Sequence, residues 1–285
     1  MTYISMPTIR KATPNDFNYV YPLFSGFREP RPSKDEFQQL FTLRWGSDES
    51  HVGFILEENG EAVGYLGTLF SIREINGRKE KFCNLYTWII KEEYRSEGLP
   101  LLFQVLRMKD VTVTNFTGNR VASILMKFGF KPIDTTLKIL LPVPALGDDC
   151  ELIFDPARIA PLLDLPDRRV FEDHREFKYP FVFIKASDGN SLLSFKKVKR
   201  KYLPVLELHY LSSRDVFLKH IHHVLPALCV RTRVLGLMVG DHFLNGTFVP
   251  FSITIPQRQT RLFRSTTVAV EEMDTMYSEL QVLNL

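Results

Sequence analysis

Trp88-Ile-Ile-Lys-Glu-Glu-Tyr-Arg-Ser-Glu-Gly-Leu-Pro-Leu-Leu-Phe103 runs from an apolar, β-prone stretch through a charged step into the apolar start of a helix. A strand that turns tightly into a helix leaves several backbone N–H groups facing outward at the positive end of the helix dipole. Such a start binds phosphate without needing a charged side chain. Within it, Arg95-Ser96-Glu97-Gly98-Leu99-Pro100 is the candidate phosphate loop. Gly98 is expected to let the backbone approach a ligand or to adopt positive φ. Pro100 suits a first helical turn, yet it removes one N–H from the cradle.

Upstream, Thr8–Ala12 reads as a short strand, and Thr13-Pro14-Asn15-Asp16 as a helix start with Phe17, Val20, Tyr21 and Phe24 at helical spacing. After a loop over residues 28–33, Ser33-Lys-Asp-Glu36 is a capping box opening a second helix. Three strands follow: Gly53–Leu56, Ala62–Ile72 and Phe82–Ile90. They are joined by turns at Glu58-Asn59-Gly60 and Asn76-Gly77. Downstream of the opening stretch come a helix from Leu99 to about Met108, a strand at Val111–Thr114, a helix over Asn119–Phe128 closed by Gly129, and a strand from Thr135 to Leu141.

At these residues the chain resembles the GCN5-related N-acetyltransferase (GNAT) superfamily. That family's phosphate motif is Arg/Gln-x-x-Gly-x-Gly/Ala after a strand and opening a helix; here five of six positions fit, and the sixth is Pro100. Asn119…Lys127-Phe-Gly-Phe130 resembles the family's Asn-x-x-Ala…Lys-x-Gly-Phe helix, and the order of elements over residues 8–141 matches. The resemblance implies an α/β (α+β) fold, a mixed, mostly antiparallel twisted sheet flanked by helices. It also implies that acetyl-CoA or another acyl-CoA is the co-substrate. Arg95, Ser96, Glu97, Gly98, Leu99 and Pro100 would hold its pyrophosphate. Trp88, Ile89 and Ile90 would meet its thioester and pantetheine arm through the backbone, and Asn119 would contact the pantetheine amide. Trp88 has plain core packing as its other reading, and Asn119 a helix N-cap.

Leu141–Asp149 is turn-rich and reads as a boundary, giving domains at 1–142 and 150–285. Beyond it the pattern partly repeats. A helix near Asp155–Leu163 precedes strands at Tyr179–Ile184, Leu192–Val198 and Leu203–Leu211. Ser212-Ser-Arg-Asp215 then opens a helix, and Leu235–Val239 is a strand. This is read as a second, diverged unit of the same kind. Its helix start has no glycine, so a structural or substrate-shaping role is expected there.

The length of 285 residues accommodates two domains, and 23 phenylalanines promise a large core. A net charge of +3 is too small to point to nucleic acid. Cys83, Cys150 and Cys229 are odd in number and far apart, which suggests neither a disulfide framework nor a metal set. With no basic segment leading into an apolar core at the N-terminus, a reducing, cytoplasmic setting is expected. No run of 18 uncharged apolar residues announces a membrane span. Asn115-Phe-Thr and Asn245-Gly-Thr match a glycosylation pattern but read better as turns.

Acyl transfer from a thioester to an amine needs a proton acceptor, a donor for the departing thiolate and donors facing the carbonyl. The resemblance implies a thiolate-protonating tyrosine in the helix after the fifth strand. Leu125 or Met126 stands at that position, and neither donates a proton. Strict alternation along Phe82–Ile90 places Phe82, Asn84, Tyr86 and Trp88 on one face, and Cys83, Leu85, Thr87 and Ile89 on the other. Tyr86 and Asn84 are the catalytic candidates there, against the plainer reading of Tyr86 as a half-buried structural tyrosine. Cys83 reads as an inert buried thiol. His220, His222 and His223 read as a helix surface, and Lys196–Lys201 as a solvated hairpin turn.

The expectation is a cytoplasmic acyltransferase, an N-acetyltransferase acting on a small amine or an amino-sugar or saccharide acceptor, with no metal and no nucleic-acid partner. A non-catalytic GNAT-like ligand- or partner-binding module is the rival. A transfer-RNA-dependent aminoacyl or peptidyl transferase is a weaker third, disfavoured by the near-neutral charge.

Overall fold

The computed structural model describes residues 6–26, 32–116, 119–144, 150–257 and 259–285, excepting the side chains of residues 119 and 120. The expected loop at 28–33 and boundary at 141–149 therefore fall largely outside the described residues. The chain opens with β1 (Thr8–Ala12), α1 (Phe17–Val20), α2 (Lys34–Thr42), β2 (Gly53–Glu58), β3 (Glu61–Ile75) and β4 (Arg78–Ile90). A 3-10 segment at Glu92–Glu97 leads to α3 (Leu99–Leu106), β5 (Val111–Asn115), α4 (Asn119–Lys127) and the two-residue β6 (Lys131–Pro132). Then come β7 (Thr136–Leu140), β8 (Cys150–Ile153), α5 (Pro156–Ile159), α6 (Leu165–His174), β9 (Phe181–Ala186), β10 (Gly189–Arg200) and β11 (Leu203–Leu211). The last elements are α7 (Arg214–Lys219), α8 (Ile221–Thr232), β12 (Leu237–Gly240), α9 (Asp241–Leu244), β13 (Ser252–Pro256), β14 (Leu262–Arg264) and α10 (Glu279–Val282).

Local chemistry explains many of these limits. Ser33 Oγ accepts the Glu36 N–H while the Glu36 carboxylate accepts the Ser33 N–H, so the expected capping box closes the start of α2. Asn59-Gly60 and Asn76-Gly77 carry positive φ (50° and 78°, 51° and 74°), the geometry that tight hairpins need.

Two seven-stranded sheets form, in the orders β1-β2-β3-β4-β5-β14-β6 and β13-β7-β12-β11-β10-β9-β8. Both are mixed and mostly antiparallel, with parallel pairing at β4/β5 in one and β11/β12 in the other. Each parallel pair is bridged by a helical connection, and the fold is the expected α/β class with two similar units.

The first unit comprises residues 1–131, 261–268 and 277–285. One face of its sheet packs Leu66, Cys83 and Leu85 against Leu101, Leu102 and Val105 of α3 and Leu125 of α4. The opposite face is aromatic: Tyr65 stacks on Phe41 at 5.6 Å and lies 5.9 Å from Phe24. Because both faces are covered, β3 is buried from Ala62 to Ser71, and little alternation survives in its sequence. The second unit comprises residues 132–260 and 269–276. Its core joins Val182, Phe195 and Leu208 of the sheet to Phe217, Val224 and Leu228 of α7 and α8.

The sequence boundaries of 1–142 and 150–285 are corrected by this division. The strand at 136–140, expected to complete the first unit, pairs with β12 and β13 in the second sheet. The first sheet instead recruits β14, which pairs antiparallel with β5.

Candidate functional site

The candidate site lies at the end of β4, and pairing geometry creates it. β4 pairs with β5 from Lys81 to Leu85 only, although the strand runs on to Ile90. Asn115 Nδ2 donates to the Leu85 carbonyl at 3.0 Å and closes the paired part. Beyond it, Tyr86–Ile90 has no strand on this edge among the described residues. On the other edge the register slips: Gly67 faces Tyr86 and Leu66 faces Trp88, leaving Thr87 as the extra residue of a β-bulge at φ 45°.

The bulge corrects the expected alternation. Cross-strand partners share a face, so inserting one residue moves Trp88 off the face of Tyr86. Trp88 and Ile90 pack with the Cys83–Leu85 core, whereas Tyr86 meets Tyr65 on the aromatic side.

The segment after the strand is wound rather than open. Lys91 N–H donates to Val63 O at 2.8 Å, Tyr94 N–H to Lys91 O at 3.0 Å and Gly98 N–H to Arg95 O at 3.3 Å. The Arg95 guanidinium lies 3.2 Å from Glu92, both largely exposed. Pro100 falls in the first turn of α3, as expected. Gly98 plays a different part from the one its sequence context suggests. Its φ is −74°, an ordinary helical value, and it is buried. A Cβ there would lie 2.5 Å from Ile90 Cδ1, a side-chain tip that would have to turn aside, so glycine eases the close seating of the loop on β4. The same point is 3.8 Å from Trp88 Nε1, a buried donor with no hydrogen-bond partner among the described residues.

The two catalytic candidates are both tied inward. Tyr86 is 1 % exposed, and its hydroxyl lies 2.9 Å from that of Tyr65. Tyr65 donates to Val52 O at 2.8 Å, which commits the Tyr86 proton to the Tyr65 oxygen. Burial holds both phenols well above the ordinary tyrosine range. Asn84 Nδ2 donates to the buried Glu279 carboxylate, and Asn84 Oδ1 accepts from Thr114 Oγ1 at 2.9 Å. Glu279, beside the central strand, escaped the sequence reading because nothing local links it to β4. Burial pushes the Cys83 thiol up as well, as suits an inert residue. Leu125 is fully buried in the core and Met126 is 46 % exposed, so the helix offers no proton donor at either position. Asn119 opens α4, and its side chain lies outside the described residues.

In the second unit the other singled-out groups are engaged structurally. Ser213 caps α7 by accepting the Val216 N–H, and Ser212 Oγ accepts the Leu192 N–H at 2.8 Å. His220, expected on a helix surface, is buried with Nε2 2.9 Å from Asp188. Lys196–Arg200 of the basic run form the end of β10, and its last residue, Lys201, makes the turn with Tyr202 at φ 46° and 73°. Lys197 Nζ donates to the carbonyls of Thr232 and Arg233. No helix among the described residues is long and apolar enough to cross a membrane.

No family model matches the chain, and no curated protein matches its sequence. Solved structures match its fold. A conserved protein of unknown function from Enterococcus faecalis V583 is 10% identical over 94% of this chain and 73% of its own, with a TM-score of 0.58. A GCN5-related N-acetyltransferase from Kribbella flavida is 12% identical over 91% of this chain and 71% of its own, at TM-score 0.55. One from Anabaena variabilis ATCC 29413 is 10% identical over 90% and 72%, at TM-score 0.54. At such identities the likeness is one of fold.

Proposed function

The fold is that of the GCN5-related N-acetyltransferases, its two seven-stranded sheets fitting a tandem arrangement, and from this premise we propose an acyl-CoA-dependent acyltransferase. In this reading an acetyl group passes directly to a small amine or amino-sugar acceptor. The observation that supports it is the open edge of β4 beyond Leu85, leading into the start of α3.

Backbone groups along Tyr86–Ile90 hold the amide-bearing arm of the acyl carrier as an added strand would be held. N–H donors on this edge polarise the thioester carbonyl and stabilise the oxyanion that forms on it. Residues Arg95–Pro100 receive the phosphates, and Asn119 the pantetheine amide. Arg95 leaves its exposed pair with Glu92 for a phosphate at a cost of about 0–1 kcal/mol. The neutral amine attacks the thioester carbon: a C–N bond forms, the C–S bond breaks, and the electron pair leaves on sulfur. The amine's proton passes to water, and water protonates the thiolate. Solvent takes that role because Leu125 and Met126 hold no transferable proton and Tyr86 gives its own to Tyr65.

Calorimetric titration with acetyl-CoA tests the reading. Micromolar binding, about −8 kcal/mol, is expected, weakened about tenfold by Arg95→Glu. No heat with any acyl-CoA removes the proposal. Binding without thiol release across a panel of amines and amino sugars replaces it with a non-catalytic carrier-binding module. Arg95 is the better target than Gly98, where a large side chain would collide with Ile90.

A further inference from the structure

The second unit contains a cleft of about 280 Å³ whose wall includes Asp134, Thr135, Asp241, His242, Asn245 and Glu271. That volume corresponds to about nine waters at roughly 30 Å³ each, room for a small molecule only. β7 and β12 pair antiparallel, with Gly240 opposite Leu137, so Asp134 just before β7 and His242 just after β12 meet at one end of the pair. Asp134 grips His242 twice: Oδ1 accepts its backbone N–H at 2.9 Å, and Oδ2 accepts from ring Nδ1 at 2.6 Å. Gly240 permits this approach, since a Cβ there would fall 2.3 Å from Asp134 Oδ2 and 2.6 Å from His242 Nδ1.

His242 is 6 % exposed, and its Nε2 is buried with no hydrogen-bond partner among the described residues. With Nδ1–H donated to the Asp134 carboxylate, this tautomer of the ring carries its acceptor lone pair at Nε2. A buried acceptor left unsatisfied is costly, and such groups need an explanation. The charge around the cleft points to one. Asp134, Asp241 and Glu271 line it, and no Lys or Arg is among its described lining residues. Lys138 lies 3.5 Å from Asp241, whose other oxygen accepts from Thr136.

We propose that this cleft binds a small primary amine in its ammonium form. His242 Nε2 accepts one N–H, and Glu271 supplies the countercharge, Asp241 being already paired with Lys138. The site lies wholly within the second unit and does not rest on the coenzyme reading.

The test is a titration of the whole 285-residue, ¹⁵N-labelled chain with putrescine to 10 mM at constant ionic strength, read by long-range ¹H–¹⁵N correlation of the imidazoles. Glycerol and sodium acetate serve as polyol and anion controls. His242→Gln assigns the resonance. Glu271→Gln, an exposed position outside the dyad, keeps the test valid if the first variant does not fold. Expected is a saturable shift of His242 Nε2 with putrescine alone, its affinity weakened about fivefold by Glu271→Gln. An unmoved His242 resonance, a shift with glycerol or acetate, or an unchanged affinity in Glu271→Gln overturns the proposal.

Discussion

At the scale of single residues, the hydroxyl of Tyr86 and the missing side chain of Gly240 lead to opposite expectations. Tyr86 donates into the core, so removing its oxygen deletes one buried hydrogen bond and touches no transferable proton. Tyr86→Phe should lower unfolding free energy by about 1 kcal/mol while acetyl-CoA affinity stays within about twofold, checked by urea denaturation and calorimetry. Gly240→Ala forces a methyl group between two buried, hydrogen-bonded partners. It should cost about 2–3 kcal/mol, read as a lower denaturant midpoint at unchanged slope. The identity of both residues was plain in the sequence. Their roles were not, because each depends on an atom brought from a distant segment: Val52 and Tyr65 for Tyr86, Asp134 for Gly240.

At the scale of elements, hairpins and caps were the most legible features. Asn59-Gly60, Asn76-Gly77 and the Ser33…Glu36 box carry their own geometry and need no tertiary partner. The bulge in β4 was hidden, because Thr87 is an unremarkable strand residue until the register with β3 is known. β14 and α10 were missed for a related reason: at three and four residues they form only where longer elements receive them. Thr87 itself bears strain, being β-branched at positive φ. Thr87→Gly should therefore stabilise the chain by about 0.5–1 kcal/mol, measured as a rise in denaturant midpoint, since the relief exceeds glycine's entropic cost. The open edge of β4, which the proposed coenzyme site uses, was legible only as an apolar strand running into a helix.

At the scale of the molecule, two related units were readable from the repeated order of hairpin, strand, helix and strand, but their true limits were not. The first unit completes itself with residues 261–268 and 277–285. Leu262, Leu280, Val282 and Leu283 are all buried there. A fragment of residues 1–142 should consequently fail to fold. A heteronuclear spectrum of it should show collapsed amide dispersion where the full chain gives resolved peaks, each lost large apolar side chain costing about 2–5 kcal/mol. The same interlacing bears on how the chain is made. All seven strands of the second sheet lie between residues 136 and 256, whereas β5 of the first waits for β14, encoded about 150 residues later. At ribosomal rates of roughly 5–20 residues per second that delay lasts about 7–30 seconds. The half encoded first finishes last, so on the ribosome its unpaired β5 edge is a nascent-chain surface that needs shielding until the C-terminal residues emerge.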